Sequence, residues 1–320
     1  MRHFTDINND MSFNNTPQGT QYPVLVFGEV LFDQFPDRAV LGGAPFNVAR
    51  HLAGFGWPPL LISRIGRDDA QVEVLHAMAR YGMDASCIQI DPLHPTGTVK
   101  VELGDTGHRF EILDNQAYDY IHQGMARLGA LAARPQLVYY GTLAARHTDS
   151  WRALLGVLRL SPGLKFLDLN LREPWFERGK TETLMRHAHV LKLNNEEFEV
   201  LGRWLNLKGS LESMCLQALN RYDLRLLLLT RGERGAYAAV PDGRSFDFPG
   251  QPMDAPIVDS VGAGDAFSAV AIAGLLSDWP MDTLLERADA FARGILGIRG
   301  AVPDDNHFYE QARAGWEENP

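Results

Sequence analysis

Residues 259–265 of this 320-residue chain read Asp-Ser-Val-Gly-Ala-Gly-Asp, and an apolar run from Ala266 to Leu276 follows. Gly262 and Gly264 flank the small Ala263 just before a helical pattern. Small residues let backbone N–H groups approach a ligand, and a helix N-terminus adds partial positive charge. Together they form an anion hole of amides rather than lysines, suited to a phosphate. Asp265 falls in the first helical turn beside it. A carboxylate there can take the proton of a hydroxyl that attacks the phosphate. The same residues also suit a tight turn followed by an N-terminal helix charge. The heptapeptide alone does not decide between the two.

A second group lies near the start. Gly42-Gly43-Ala44-Pro45-Phe46-Asn47 places two glycines before a Pro at a first helical turn, with Asn47 on that helix. The glycines permit a ligand to approach the backbone. The Asn amide can donate to and accept from a sugar hydroxyl. A loop entering a core helix has the same composition. Asp33 lies just beyond the first strand, after Gly28-Glu29. Ligands of open parallel sheets bind outside the carboxyl ends of strands, so Asp33 is placed to bind hydroxyls, or to cap a turn. Gly-x-x-x-x-Gly-Lys-Ser/Thr is absent, and Gly262, Gly264 and Phe267 do not complete Gly-x-Gly-x-x-Gly.

These two groups, in this order, resemble the two signatures of the PfkB (ribokinase-like) carbohydrate kinases. The resemblance spans roughly residues 23–303, with Ser260 where Thr is more usual. Further segments are similar. Asp168-Leu169-Asn170-Leu171-Arg172 resembles the Asp-x-Asn-x-Arg segment of fructokinase-like members. Asn194 and Glu197 resemble an Asn-x-x-Glu motif that acts near nucleotide phosphates and Mg²⁺, often through water. Thr230, Gly232 and Gly235 resemble a Thr-x-Gly-x-x-Gly loop beside the nucleotide. Read as residues alone, Asn194 to Glu197 is equally a helix cap with a first-turn acid, and Thr230 to Gly235 a turn.

The resemblance implies a site. The sugar is held by Asp33, Gly42, Gly43 and Asn47, with Asn170 nearby and Thr98 and Phe110 covering it, and Arg172 counts among the catalytic residues. ATP lies along the C-terminal half, its phosphates near Asn194, Gly232 and Gly262. Asp265 is the base. The amides of Ala263 and Gly264 stabilise the transferring phosphoryl group, and Mg²⁺ bridges its oxygens. Many relatives also hold K⁺ beside the anion hole. Asp259, Val261, Gly300 and Asp304 align with that site, Asp304 standing where a Ser is frequent. Lid-to-lid homodimers are common in the family, which makes a homodimer an expectation here.

Elements must place these residues. Continuous apolar runs predict strands at Val24–Phe27, Leu60–Arg64, Leu137–Tyr140, Lys165–Leu169, Val190–Leu193 and Leu226–Thr230. Helical patterns lie between them. Asp69 to Tyr81 has apolar residues at Val72, Leu75, Met78 and Ala79, and Ser150 to Leu160 starts with a Ser cap. The alternation predicts an α/β fold: a three-layer α/β/α sandwich with a mainly parallel sheet. Thr96–Glu102 and His108–Leu113, joined at Gly104–Gly107, read as a more polar ribbon. With Phe32 to Val40 it forms a small β lid, about 32–40 and 96–113. A second hairpin turns at Pro241-Asp242-Gly243. Residues 23–320 are expected to form one kinase domain, and the polar residues 1–22 a disordered lead-in.

Composition sets the outer limits. Lys plus Arg number 30 against 40 Asp plus Glu, a formal charge of −10. That balance argues against nonspecific nucleic-acid binding. Two cysteines make no disulfide framework, and the ten histidines lack zinc-site spacing. No apolar run reaches membrane-spanning length and no signal peptide is visible, so a cytoplasmic protein is expected. The expected activity is ATP-dependent phosphorylation of a sugar, fructose first. 2-Keto-3-deoxygluconate and ribose are the alternatives, Arg172 being able to pair with an acid sugar. A nucleoside kinase would use Phe32, Phe46 and Phe110 as a base slot. A non-catalytic sugar sensor would be expected to lose Asp265 or the anion-hole glycines, and all are present.

Overall fold

The computed structural model describes residues 22–104, 107–252 and 256–318. The apolar run Val24–Phe27 forms strand β1, buried at all four positions. Leu31–Gln34 and Ala39–Gly42 follow as β2 and β3, then Leu60–Gly66 as β4 and Ile88–Asp91 as β5. Gly97–Gly104 and Gly107–Ile112 are β6 and β7. The later strands are β8 (Leu137–Tyr140), β9 (Leu164–Asp168), β10 (Val190–Asn194), β11 (Leu226–Thr230), β12 (Ala236–Ala239) and β13 (Ser245–Phe248). Ten α-helices are described: α1 (Ala44–Gly54), α2 (Asp69–Arg80), α3 (Gln123–Ala133), α4 (Thr148–Leu160), α5 (Arg178–His187), α6 (Asn195–Leu205), α7 (Leu211–Tyr222), α8 (Ala263–Leu276), α9 (Met281–Leu296) and α10 (His307–Glu318).

Nine strands form one sheet in the order β13-β12-β11-β10-β9-β8-β1-β4-β5. Pairing is parallel from β5 through β11, and β12 and β13 add antiparallel at one edge. Alternate residues of a strand face opposite sides. Val24 and Val26 of β1 enter a core with Phe46, Val48, Phe267, Val270 and Phe291. Leu25 and Phe27 enter another with Ala130, Leu154, Leu184, Leu201 and Leu219. Helices therefore cover both faces, the three-layer arrangement expected. A second sheet, β3-β2-β6-β7, stands where the lid is expected. Asp33 of β2 sits opposite Val40 on one side and Val99 on the other.

Several details depart from expectation. In α2 the buried pair is Val74 and Met78, one helical turn apart, while Val72 is 56% exposed and Ala79 faces water. The apolar stripe is thus rotated from Val72 and Ala79. Helix α4 begins at Thr148, and its N-cap is His147. Ser150 is buried inside the first turn, where its hydroxyl donates to the Tyr118 carbonyl and accepts from the Ile121 amide. Strand β5 was not among the expected strands. The lid strand β6 runs to Gly104, past Glu102; Asp105 and Thr106 of its turn lie outside the described residues, as do residues 1–21 of the expected lead-in. Among the described residues, no helix is long and apolar enough to cross a membrane.

Candidate active site

Helix α8 packs against both α9 and α1. That packing carries the two sequence signatures to one place. Its N-cap is Gly262, at φ 83°. A Cβ at Gly262 would lie 2.4 Å from the Ala301 Cβ and 2.5 Å from its Cα, so only glycine fits this turn. Ala263 opens the helix and Asp265 stands in its first turn, as expected. From α1, Asn47 Nδ2 donates to Asp265 Oδ2 at 2.9 Å. One turn further along α1, His51 makes 3.0 Å hydrogen bonds with the Ala301 carbonyl and the Tyr309 hydroxyl. Asn47 thus fixes the carboxylate, and His51 fixes the segment packed behind Gly262.

Asp265 is only half-buried by exposed area, yet enough protein surrounds its carboxyl that desolvation dominates. Burial pushes it up to about 7; the Asn47 hydrogen bond opposes this, the Asp168 charge adds to it, and Lys192 and Arg172 oppose it. A carboxyl near neutrality suits a general base. Asp33 is raised to about 6, first by burial, against the pull of Arg172. A Cβ on Gly42 would sit 3.6 Å from Asp33 Oδ2 and 3.9 Å from Asn47 Oδ1. Asp33, Gly42, Asn47 and Asp265 are therefore one cluster. Gly43, at φ 102°, is the N-cap of α1, and a Cβ there would meet the Glu29 carbonyl oxygen at 2.8 Å.

Arg172 is exposed, and its charge reaches Asp265, Asp33 and Glu29. Asn170 has φ 39°, and its carbonyl accepts from the Thr142 hydroxyl at 3.3 Å. Thr98, on β6, is half-buried and donates to the Thr96 carbonyl. Phe110, on β7, is 51% exposed.

The residues expected to border a nucleotide gather at the carboxyl ends of β10 and β11, where Asn194 and Thr230 are register partners. Asn194 and Glu197 form a reciprocal capping box on α6. Glu197 Oε2 accepts from the Asn194 amide at 2.9 Å and Oε1 from the Leu171 amide at 2.8 Å. The carboxylate thus ties α6 to the Asp168–Arg172 segment. Gly232 opens a short 3₁₀ turn, closed by a Gly235 amide bond to its carbonyl. Asp259 accepts from the Val261 amide at 3.0 Å and the Gly300 amide at 3.1 Å, cross-linking the two loops at the expected K⁺ site. Asp304 is exposed, and its backbone carbonyl accepts from Arg80. Among the described residues, no group of three or more His, Cys, Asp or Glu could by itself hold a metal.

Three further side chains belong to this site. Lys192 of β10 is buried and places Nζ 3.1 Å from both oxygens of Asp168. Ser268 of α8 donates to the same carboxylate at 2.8 Å. The Lys192 ammonium also lies 3.1 Å from where a Gly264 Cβ would be, so a cation stands beside the Gly262–Gly264 turn. Burial works against that charge, but Asp168, Glu197 and Asp265 outweigh it and its pKa is raised. The sequence signal was a Lys inside the apolar run Val190–Leu193 of a strand buried on both faces.

Comparison with known proteins agrees with this geometry. Residues 12–306 match the pfkB family carbohydrate kinase model. A fructokinase of Escherichia coli is 30% identical over 278 residues, covering 79% of this chain and 84% of the relative. A fructokinase of Klebsiella pneumoniae is 29% identical over 281 residues, covering 84% and 89%. The crystal structure of Vibrio cholerae fructokinase in its fructose, ADP and calcium ion bound form superposes with a TM-score of 0.72. It is 23% identical and covers 91% of this chain and 99% of that one. With its two signatures joined at Asn47 and Asp265, the chain belongs to the PfkB family of carbohydrate kinases.

Proposed function

We propose that the protein is an ATP-dependent fructokinase. The observation that carries the reading is the Asn47–Asp265 hydrogen bond at the mouth of the Gly262–Gly264 turn. It sets a base, an amide anion hole and a hydroxyl-binding cluster side by side. Asp33, Gly42, Gly43 and Asn47 hold the sugar, with Asn170 and Thr98 lining its edge and Phe110 on the closing lid. Asp265 takes the proton of the attacking hydroxyl. The amides of Ala263 and Gly264, backed by Lys192, receive the γ-phosphoryl charge. Asn194, Thr230, Gly232 and Gly235 border the nucleotide. Lid closure excludes water as a competing acceptor.

Mg²⁺ supplies charge neutralisation between phosphate oxygens when bound. Mg²⁺ commonly uses one or two carboxylates plus substrate phosphates. Glu197 would orient its water shell. K⁺ would be held by the loops around Val261, Gly300 and Asp304 that Asp259 cross-links, which orders the anion hole.

Charge balance favours a neutral acceptor. Asp33, Glu29 and Asp265 all feel Arg172; Arg146, which also acts on Glu29, is already paired with Asp119, and Lys192, which also acts on Asp265, with Asp168. Three carboxyls around one cation not already paired with a carboxylate do not favour the carboxylate of an acid sugar. The test is an ATP-coupled panel of fructose, ribose and 2-keto-3-deoxygluconate. Fructose is expected to give the highest kcat/KM, and a higher value for either competitor overturns the assignment. We also propose a homodimer through the lid, whose outer strands β3 and β7 leave open sheet edges. Light scattering at micromolar concentration should give twice the chain mass, and a monomer mass rejects it.

A further inference from the structure

Glu29 follows β1 and lies two residues before β2, at the root of the lid. It is 3% exposed, and its Oε2 has no hydrogen-bond partner among the described residues. A buried carboxyl oxygen left unpaired costs about 1–3 kcal/mol or more, so it calls for an explanation. It caps no described helix and forms no described ion pair. Its neighbours show where it sits. A Cβ on Gly43 would lie 3.4 Å from Glu29 Cγ and 2.8 Å from its carbonyl oxygen, so Glu29 packs directly against the glycine pair. The Asp265 charge pushes its carboxyl up, while a hydrogen bond from its own backbone N–H and the charges of Arg172 and Arg146 pull the other way. Glu29 also acts on the phenols of Tyr118 and Tyr139. Burial first, and then Asp265, hold its carboxyl at about 7. Near neutrality such a group can accept a hydrogen bond or donate one, which matches a hydroxyl that does both.

We propose that Glu29 binds a hydroxyl of the acceptor sugar directly and so helps set which sugars the site accepts. The inference rests on the sugar kinase reading. It assigns the unpaired Oε2 to the substrate rather than to a structural water. Its signature is therefore selective: it acts on one sugar position and leaves the nucleotide side alone.

The experiment compares the wild type with Glu29→Gln and Glu29→Leu on the best acceptor of the sugar panel and its mono-deoxy analogues. In the wild type, one deoxy position should lose about tenfold or more in kcat/KM, the discrimination a buried hydroxyl partner supplies. In Glu29→Leu the parent sugar should fall by a similar factor and that one deoxy analogue should fall no further, with KM for ATP unchanged. Glu29→Gln, the isosteric variant, should shrink the same penalty and carries the test if Leu does not fold. An equal loss on the parent and every analogue overturns the proposal, because a structural or water-holding Glu29 acts uniformly. Calorimetric binding of the same sugars without ATP reads the same pattern independently of turnover. Sugar binding with no phosphoryl transfer in the wild type would therefore strike the kinase reading and still decide Glu29.

Discussion

Asn47 Nδ2 donates to Asp265 Oδ2 at 2.9 Å across 218 residues of chain. The contact joins the first turn of α8 to the start of α1, and so links the proposed hydroxyl-binding cluster to the proposed base. A hydrogen bond to the carboxylate favours its charged form. It opposes the burial that pushes Asp265 up to about 7. Asn47 therefore orients the Asp265 carboxyl and holds its pKa lower than burial alone would leave it.

Replacing Asp265 tests the base. Asp265→Asn should lower kcat by about 10²–10⁴, the range for loss of a positioned proton acceptor, with little change in KM for ATP. Asn47→Ala should keep the base and move the acid limb of the kcat/KM profile to higher pH, because the charged carboxylate has lost its donor. An unshifted limb in Asn47→Ala would separate the two residues.

The buried acids also predict how stability varies with pH. Asp265 and Glu29 rise from ordinary values of 3.8 and 4.5 to about 7 in the fold. The folded state therefore holds these protons more tightly than the unfolded chain. The stabilisation is complete below the unfolded values and is lost as pH rises through about 7. Asp265→Asn removes one of these titrations. Its Tm relative to the wild type should rise from pH 5 to pH 8, by about one to several degrees. A flat difference would mean that burial of the Asp265 charge costs the fold nothing.

The sequence exposes the scaffold more fully than the site. Strands β1, β8 and β11 coincide with their apolar runs because central parallel strands are buried on both faces. Helix α2 is placed to within a residue, but its stripe is rotated: Val72 and Val74 are equally apolar, and only packing against the sheet decides which faces inward. The two glycine signatures are readable because their residue types are constrained by φ and by close approach, as at Gly262 and Gly43. Lys192 and Glu29 are not readable in that way. Each is one polar residue in an apolar setting, and its meaning comes from a residue elsewhere in the chain, Asp168 for one and Asp265 for the other.

Lys192 and Asp168 predict a separable pair of effects. Lys192→Ala strands a buried carboxylate and should destabilise the protein by about 3–5 kcal/mol in urea titration. Adding Asp168→Leu to Lys192→Met should restore most of that stability, since an apolar pair replaces an ionic one. Activity should not return with it. The ammonium lies 3.1 Å from where a Gly264 Cβ would be, beside the proposed anion hole, so the double variant should stay down by about tenfold or more in kcat. Recovery of both together would assign Lys192 to folding alone.

Gly262 makes the sharpest steric prediction. Its φ of 83° costs an L-residue about 1–2 kcal/mol wherever it occurs. Gly243, in the β12–β13 turn, has φ 88° and nothing within 4 Å of a built Cβ. Gly243→Ala therefore carries the backbone cost alone and serves as the control. At Gly262 the added methyl would also meet Ala301 at 2.4 Å, and the Ala301 backbone cannot retreat without breaking its hydrogen bond to His51. Gly262→Ala should thus lose more stability than Gly243→Ala. It should also lower kcat by about 10²–10³, the size of a lost oxyanion donor, because the turn that aims the Ala263 and Gly264 amides is displaced. Thermal unfolding and steady-state kinetics on the two variants check both statements. Equal losses in stability at the two glycines would show that Ala301 yields, and full activity in Gly262→Ala would remove the turn from the anion hole.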